Sequence, residues 1–150
     1  MKLNTFQDIL RFAIEREIDA ACSYAHLDSK AGSQGQKTML RELEAEEKNH
    51  RKLLEDVLEG KAVPLPEAAV PDLKLSDYLL EEKIGAESTL QDLLIFAAKK
   101  EAKSVSLYTK LSSLSSLPEQ KRLFDFLAGQ EKVHKLRLEE QYEKNILQEN

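Results

Sequence analysis

Glu47-Lys48-Asn49-His50 is the stretch that decides the fold, because it recurs 84 residues later as Glu131-Lys132-Val133-His134. In each copy a Glu precedes a His by three positions. On an α-helix this spacing places the two side chains about 60° apart around the axis and about 4.5 Å apart along it, so both can reach one ion. A single Glu-x-x-His arises by chance in Glu-rich helices, and the evidence therefore lies in the repetition.

Two further residue types share the offset of 84: a Glu thirty residues before each Glu-x-x-His, and a Tyr seven residues after that Glu. The complete set is Glu17, Tyr24, Glu47 and His50 in the first half, and Glu101, Tyr108, Glu131 and His134 in the second half. The flanking sequence keeps the same register, since Gln7 to Ala13 align with Gln91 to Ala97. Self-similarity of this kind indicates an internal duplication.

The duplication also argues against neighbouring acidic residues as ligands. Glu46 precedes the first His by four positions, but its counterpart in the second half is Gln130. Glu15, two residues before the first repeated Glu, has Lys99 as its counterpart. Only the repeated residues therefore remain as candidate ligands.

Composition indicates a soluble helical protein in which residues 1–150 form a single domain. Gly (5) and Pro (4) are few among 150 residues, and Trp is absent. The formal net charge is −5, with basic residues interspersed among acidic ones, which argues against nucleic acid or an anionic membrane as the partner. No segment reaches the roughly 20 apolar residues of a membrane span, and the N-terminus has no signal-like apolar region, so we expect a cytoplasmic protein.

Two potentially reactive side chains fall outside the repeated set. Cys22 is the one cysteine, which excludes an intramolecular disulfide, and it aligns with Ser106. We expect it to be a small buried or half-buried residue. His26 aligns with Lys110 and is expected at the surface.

Apolar residues recur at intervals of three and four along four segments, which is the period of helices with one buried face. We expect helices from a cap at Asn4 or Thr5 to Ser29, from Lys37 to Glu59 with Gly60 ending it, from a cap at Ser88 to Leu114, and from Pro118 to a frayed end beyond Tyr142. The four repeated glutamates fall on the apolar stripes. Residues 32 and 116, the midpoints of the two Glu pairs, fall in turns, so the paired glutamates would lie at equal heights on antiparallel helices.

The connection 61–89 differs in character from the rest of the chain. Pro64, Pro66 and Pro71 exclude a continuous helix, although Leu75 to Ile84 could form a short one. A connection this long indicates a crossover along a bundle rather than a tight turn. The predicted fold is all-α, a four-helix bundle of two helical hairpins joined by a long crossover.

Four carboxylates in one core would each cost roughly several kcal/mol to desolvate as ions. No Lys or Arg shares the apolar stripes, whereas two divalent cations would balance the four charges. Carboxylates and imidazoles without thiolate suit iron, manganese or zinc, and suit neither Cu(I) nor an iron–sulfur cluster. One Glu from each of two helices and Glu-x-x-His from each of the other two form the ligand set of di-iron and di-manganese bundles.

The roles within the predicted site follow from the helices that carry the residues. We expect Glu47 and Glu131 to bridge two ions, because the second and fourth helices would face each other. The terminal ligands would be Glu17 with His50 and Glu101 with His134, and the sequence leaves open which His serves which ion. Tyr24 and Tyr108 are either core aromatics or hydrogen-bond donors to the site with a part in catalysis.

Through these eight residues and the long crossover, the sequence resembles the ferritin-like superfamily, and most closely the rubrerythrin-like proteins. The resemblance implies two iron ions, with manganese or zinc possible, in a homodimeric oxidoreductase that reduces hydrogen peroxide or dioxygen. Full-length rubrerythrins add a rubredoxin-like domain with four cysteines. This chain has one cysteine, so the resemblance implies an external electron donor such as a rubredoxin.

Two departures from related families shape these expectations. Rubrerythrins carry another carboxylate one turn after the first ligand of the third helix, where this chain has Ser104. The symmetric six-ligand set is thus closer to bacterioferritin centres, but Lys48-Asn49 stand where those proteins place the haem-binding Met, and no haem is expected. The alternatives are a ferroxidase that stores iron and a non-catalytic metal-binding bundle.

Overall fold

The computed structural model describes residues 3–61, 70–71, 73–80 and 87–149, and within them the chain forms the predicted all-α four-helix bundle. The helices are α1 (Phe6–Lys30), α2 (Gln34–Leu58), α3 (Leu90–Leu114) and α4 (Pro118–Glu149). Helices α1 and α2 pack as one hairpin, and α3 and α4 pack as the other. Contacts of α1 with α3, and fewer of α2 with α4, join the hairpins.

The first helix of each hairpin begins with the same capping arrangement. Thr5 accepts a hydrogen bond from the Asp8 backbone while the Asp8 side chain accepts one from the Thr5 backbone, and Thr89 and Asp92 repeat this pair. The predicted cap at Ser88 is therefore wrong by one residue. A reciprocal box needs an acceptor side chain three residues after the cap, and Asp92 supplies it to Thr89.

Helix α2 begins three residues before the predicted Lys37, because Ser33 caps it by accepting a hydrogen bond from the Gln36 backbone. It ends at Leu58, one residue before the predicted Glu59, which is its C-cap. Gly60 adopts φ 74°, which favours glycine, and the Gly60 and Lys61 backbone amides donate to Val57 and Asp56.

Two apolar clusters fill the bundle, one on each side of the layer that contains the repeated glutamates. One cluster includes Ile9 and Leu10 of α1 with Leu111 of α3. The other includes Leu27 of α1 with Leu94 of α3. Since α1 enters the first cluster before Glu17 and α3 enters it after Glu101, the two helices are antiparallel and their glutamates lie at mid-bundle.

The described parts of the crossover are held at two points. Residues Leu3–Asn4 pair antiparallel with Val70–Pro71 as two-residue strands β1 and β2, and a short 3₁₀ helix follows at Leu75–Tyr78. Lys103 Nζ of α3 donates to the Asp77 carbonyl over 2.9 Å. The predicted short helix is therefore 3₁₀ and ends by Tyr78, while residues 81–84 of that prediction, like Pro64 and Pro66, lie outside the described residues.

The outer face of α1 carries both side chains that fall outside the repeat. His26 is exposed, as predicted. Cys22 is also exposed, which contradicts the expected burial, because the inward position belongs to its neighbour Ala21. None of the helices in the described part of the chain is long and apolar enough to cross a membrane.

Candidate metal centre

The six repeated Glu and His side chains lie in one layer at the centre of the bundle. Every helix contributes to this layer, because the 3.6-residue period turns each of these positions inward. All six side chains are between 0 and 3% exposed, namely Glu17 on α1, Glu47 and His50 on α2, Glu101 on α3, and Glu131 and His134 on α4. The sequence-predicted ligands therefore meet in space without exception.

The six residues form two overlapping groups of four. In the first group, ligating atoms of Glu17, His50, Glu47 and Glu131 all lie within 4.8 Å of one another. In the second, the same holds for Glu101 and His134 with Glu47 and Glu131. The two carboxylates shared by both groups are those that the sequence analysis assigns as bridges.

Two close contacts between histidine and carboxylate inside the layer lack the alignment of hydrogen bonds. His50 Nδ1 lies 2.7 Å from Glu131 Oε1, and His134 Nδ1 lies 2.8 Å from Glu47 Oε1. All four of these atoms are buried and have no correctly aligned hydrogen-bond partner among the described residues. Atoms that bind one ion at about 2.1 Å and at right angles are about 3 Å apart, so this spacing fits ligands that converge on a metal.

The outer two glutamates each keep one oxygen free for an ion. Tyr108 donates a hydrogen bond of 2.6 Å to Glu17 Oε1, and Tyr24 donates one to Glu101 Oε1. In both carboxylates the second oxygen, Oε2, is buried without a hydrogen-bond partner in the described part of the chain. Each tyrosine belongs to the opposite hairpin from the glutamate it contacts, so the two hydrogen bonds tie α1 to α3 across the site.

Burial and mutual repulsion raise the proton affinity of the layer. Burial raises the pKa of Glu17 to about 8, and burial followed by the charges of Glu101 and Glu47 raises that of Glu131 well above its usual range. Burial alone would lower the pKa of His50, but the carboxylates of Glu17 and Glu47 raise it to about 9. In the metal-free protein, bound protons therefore offset the negative charge of the buried carboxylates. Divalent cations could replace these protons.

His50 and His134 present the same ring nitrogen to the centre. Their rings stack with centroids 5.7 Å apart and planes 12° apart, and Nδ1 of each faces the carboxylates. Carboxylates outweigh the effect of burial on His134 and raise its pKa to about 10. A neutral imidazole can bind an ion through Nδ1 only if its proton resides on Nε2.

Sequence reasoning missed one contact that favours this tautomer. Glu46 Oε2 lies 2.6 Å from His134 Nε2, where the carboxylate can accept the proton and orient the ring. Glu46 was set aside as a ligand because Gln130 is its counterpart. The signal that could have found it is its position next to Glu47, which turns it about 100° from the ligand stripe towards the neighbouring helix.

Comparisons with known proteins identify the family and support the fold. A family model described as Rubrerythrin matches residues 8–142. The chain belongs to the rubrerythrin family. A hypothetical protein from Pyrococcus furiosus has a similar solved structure, with a TM-score of 0.71 and 30% sequence identity, over 93% of this chain and 89% of that one. The search of curated proteins found no significant match.

Membership of the rubrerythrin family suggests a di-iron site, and the buried carboxylate and histidine cluster is a group that could bind metal. The donor set fits such ions chemically, since it offers hard oxygen and imidazole ligands without thiolate. Each of the six side chains has at least one buried polar atom with no hydrogen-bond partner among the described residues. Two metal ions bound at the centre would satisfy these atoms.

Proposed function

We propose that the chain holds two iron ions and works as an oxidoreductase that reduces hydrogen peroxide or dioxygen. The observation that carries the proposal is the pair of overlapping four-residue groups that share Glu47 and Glu131. In this assignment Glu47 and Glu131 would serve both ions. Glu17 and His50 would hold one ion alone, and Glu101 and His134 would hold the other.

Two ferrous ions, when bound, would supply the two electrons that cleave the O–O bond of peroxide, and two protons complete two molecules of water. The six buried side chains would hold the ions at the centre of the bundle and would exclude bulk water from them. Tyr24 and Tyr108 orient the terminal carboxylates by donating to one oxygen of each. Each tyrosine hydroxyl also carries a proton in direct contact with a terminal ligand, and supplying that proton is the catalytic part we propose for the tyrosines.

The test begins with metal content. Protein expressed with iron should contain two irons per chain by elemental analysis. After anaerobic reduction, one equivalent of peroxide should oxidise both iron ions. The oxidation is measured by the change in absorbance. Zinc in place of iron, or iron that peroxide does not oxidise, would overturn the proposed function and leave a structural metal site.

Sustained turnover requires an electron donor, which we propose is a separate protein such as a rubredoxin. The one cysteine of this chain cannot hold the four-thiolate iron site of that module. Reduced rubredoxin should be oxidised continuously when peroxide and the iron-loaded protein are both present. If rubredoxin oxidation is no faster than in controls without the protein, this donor is wrong.

We further propose that the protein acts as a homodimer in the cytoplasm. Support for a dimer comes from α4, where the apolar side chains of Phe126, Val133 and Leu136 are each more than half exposed. Light scattering should give twice the mass of one chain. A shell of many subunits would instead favour iron storage, in which ferrous iron is the substrate of the same centre.

A further inference from the structure

A cavity of about 170 Å³ lies between α1 and α3 on the outer side of the candidate metal centre. Residues 78–80 of the crossover form part of its wall. Glu101 is the one proposed metal ligand among the described residues that line it. Since a water molecule occupies about 30 Å³ of liquid, the cavity could hold about five waters, which is ample room for a molecule of two or three heavy atoms next to Glu101.

The cavity lies where the two halves of the internal duplication face each other. Its walls on α1 and α3 include three pairs of residues related by the offset of 84, namely Arg16 with Lys100, Asp19 with Lys103 and Ala20 with Ser104. A helix surface that is duplicated in sequence would normally present the same chemistry twice. Here two of the three pairs differ in polarity or charge, so the surface has diverged while the ligands have not.

The walls carry more positive than negative charge. Three basic residues line the cavity, namely Arg16, Lys100 and Lys103. The acidic residues that line it are Asp19 and the proposed ligand Glu101. Lys100 pairs with Asp19, and Lys103 is held by the Asp77 carbonyl. The Nε atom of Arg16 is buried and has no hydrogen-bond partner within the described residues. A cleft with low-dielectric walls concentrates the field of such charges, which attracts anions and repels cations.

We propose that this cavity is the binding pocket for the small oxidant, and that it accepts neutral or anionic ligands of two or three heavy atoms while excluding metal ions. Ser104 sets the size of the pocket next to Glu101, and the basic residues set its charge preference. The inference rests on the proposed function, which it deepens by assigning the route and the chemical class of the ligand. Peroxide fits the class, and azide is its stable probe.

The first experiment tests the size of the pocket by placing a larger side chain at Ser104. Azide is titrated into the iron-loaded ferric protein, and its affinity is measured from the absorption that appears on binding. We expect Ser104→Leu to weaken azide at least tenfold, because the larger side chain fills the space beside Glu101. Ser104→Ala should stay within about twofold. Ser106→Leu is the matched control, since Ser106 is exposed on the same helix and should leave azide affinity unchanged.

The second experiment changes the charge and remains informative if Ser104→Leu loses iron. Lys103→Glu should slow azide association about three- to tenfold at low salt, with the difference shrinking as salt is added. Lys110→Glu makes the same charge change at an exposed position of α3 and should have little effect.

The outcomes separate the two proposals. Variants that retain two irons per chain and bind azide as tightly and as fast as the wild type would overturn the pocket and leave the proposed function intact. A wild-type protein that binds no iron would overturn the proposed function, and the pocket assignment with it. Weaker azide binding in Ser104→Leu and slower association in Lys103→Glu, with silent controls, would support the pocket.

Discussion

The α1–α2 hairpin and the α3–α4 hairpin present the same ligands at the same spacing, yet they differ in what surrounds the two histidines. His134 contacts the carboxylate of Glu46, whereas the counterpart of Glu46 in the second half is the uncharged Gln130. When a carboxylate accepts the distal proton of an imidazole, the imidazole becomes more basic and binds a metal ion more firmly. The two halves therefore offer equal candidate ligands, and the contacts that support the two histidines differ.

The duplicated sequence is preserved more strictly in the inner layer than in its surroundings. Residues that must meet at one ion cannot change independently, because a missing carboxylate leaves an unbalanced charge in the core. Their neighbours contact water on one side and can change at small cost. The walls of the α1–α3 cavity, where Asp19 corresponds to Lys103, illustrate the same freedom.

The largest expected effect is the loss of iron when a shared carboxylate is removed. Glu47→Gln and Glu131→Gln should each reduce iron from two ions per chain to one or none, because both groups of four lose a ligand. Elemental analysis after dialysis measures the result. Glu44→Gln is the control, since Glu44 on α2 pairs with exposed Lys48 away from the centre. Two tightly bound irons in either bridging variant would contradict the ligand assignment.

The pH dependence of the metal-free protein tests the protons that both halves hold. A group whose pKa is higher in the folded state contributes to the stability of the folded protein. The contribution is fully present at pH values below the unfolded pKa and is lost as pH rises through the folded pKa. For Glu17 the loss falls between pH 4.5 and about 8, and for His50 between pH 6.5 and about 9. Contacts with histidines lower the pKa of Glu47 despite its burial, so its contribution is present above pH 4.5.

For His134 the loss extends to about pH 10, so metal-free protein should be most stable near pH 5 and should lose stability up to about pH 10. Urea unfolding at fixed pH values measures the trend. Metal binding should show the opposite dependence, because the ions displace these protons. Glu17→Gln removes one of the titrating groups and should flatten the curve between pH 4.5 and 8. A metal-free protein that grows more stable over this range would contradict the prediction.

The asymmetry around the histidines can be tested directly. Glu46→Gln gives both halves the same uncharged neighbour and should weaken the ion bound through His134 about 10- to 100-fold. Calorimetric titration should then resolve one weakened ion and one unchanged ion. Gln130→Glu is the reciprocal change and should not weaken either ion. Equal affinities before and after Glu46→Gln would show that the contact at 2.6 Å has no effect on metal binding.

The smallest expected effect concerns the two tyrosines. Tyr24→Phe and Tyr108→Phe each remove a hydrogen bond to a buried carboxylate, at a cost of about 1.5 kcal/mol and a fall in Tm of about 3–6 °C. The two losses should be similar, because the hydrogen bonds are related by the duplication. Calorimetry measures them, with Tyr142→Phe as a control eight residues beyond the last ligand on α4. Unequal losses would reveal a difference between the terminal carboxylates.

The helix ends show how far local sequence reasoning reaches. Thr5 and Asp8 lie 84 residues before Thr89 and Asp92, so the duplication itself contained the correct cap of α3. The prediction chose Ser88 because it used a generic cap rule for one half alone. Helix α2 begins before the predicted Lys37 because the first turn of a helix tolerates Gly35 once Ser33 caps it.

Sequence alone was sufficient for the number of helices, the antiparallel hairpins and the six residues of the central layer. The reason is that helical period and equal distance from a turn are local quantities that the chain displays directly. Repetition then separated the meaningful glutamates from the many others. These features do not depend on how the hairpins pack.

Only the tertiary structure decided which groups meet across the hairpins. Tyr24 contacts Glu101 rather than Glu17 of its own helix, Glu46 reaches His134, and the cavity opens between α1 and α3. Such contacts depend on the rotation and separation of helices that are distant in sequence, and many side chains set these jointly. Helical spacing determines which side of a helix a residue occupies, whereas the packed bundle determines what stands opposite.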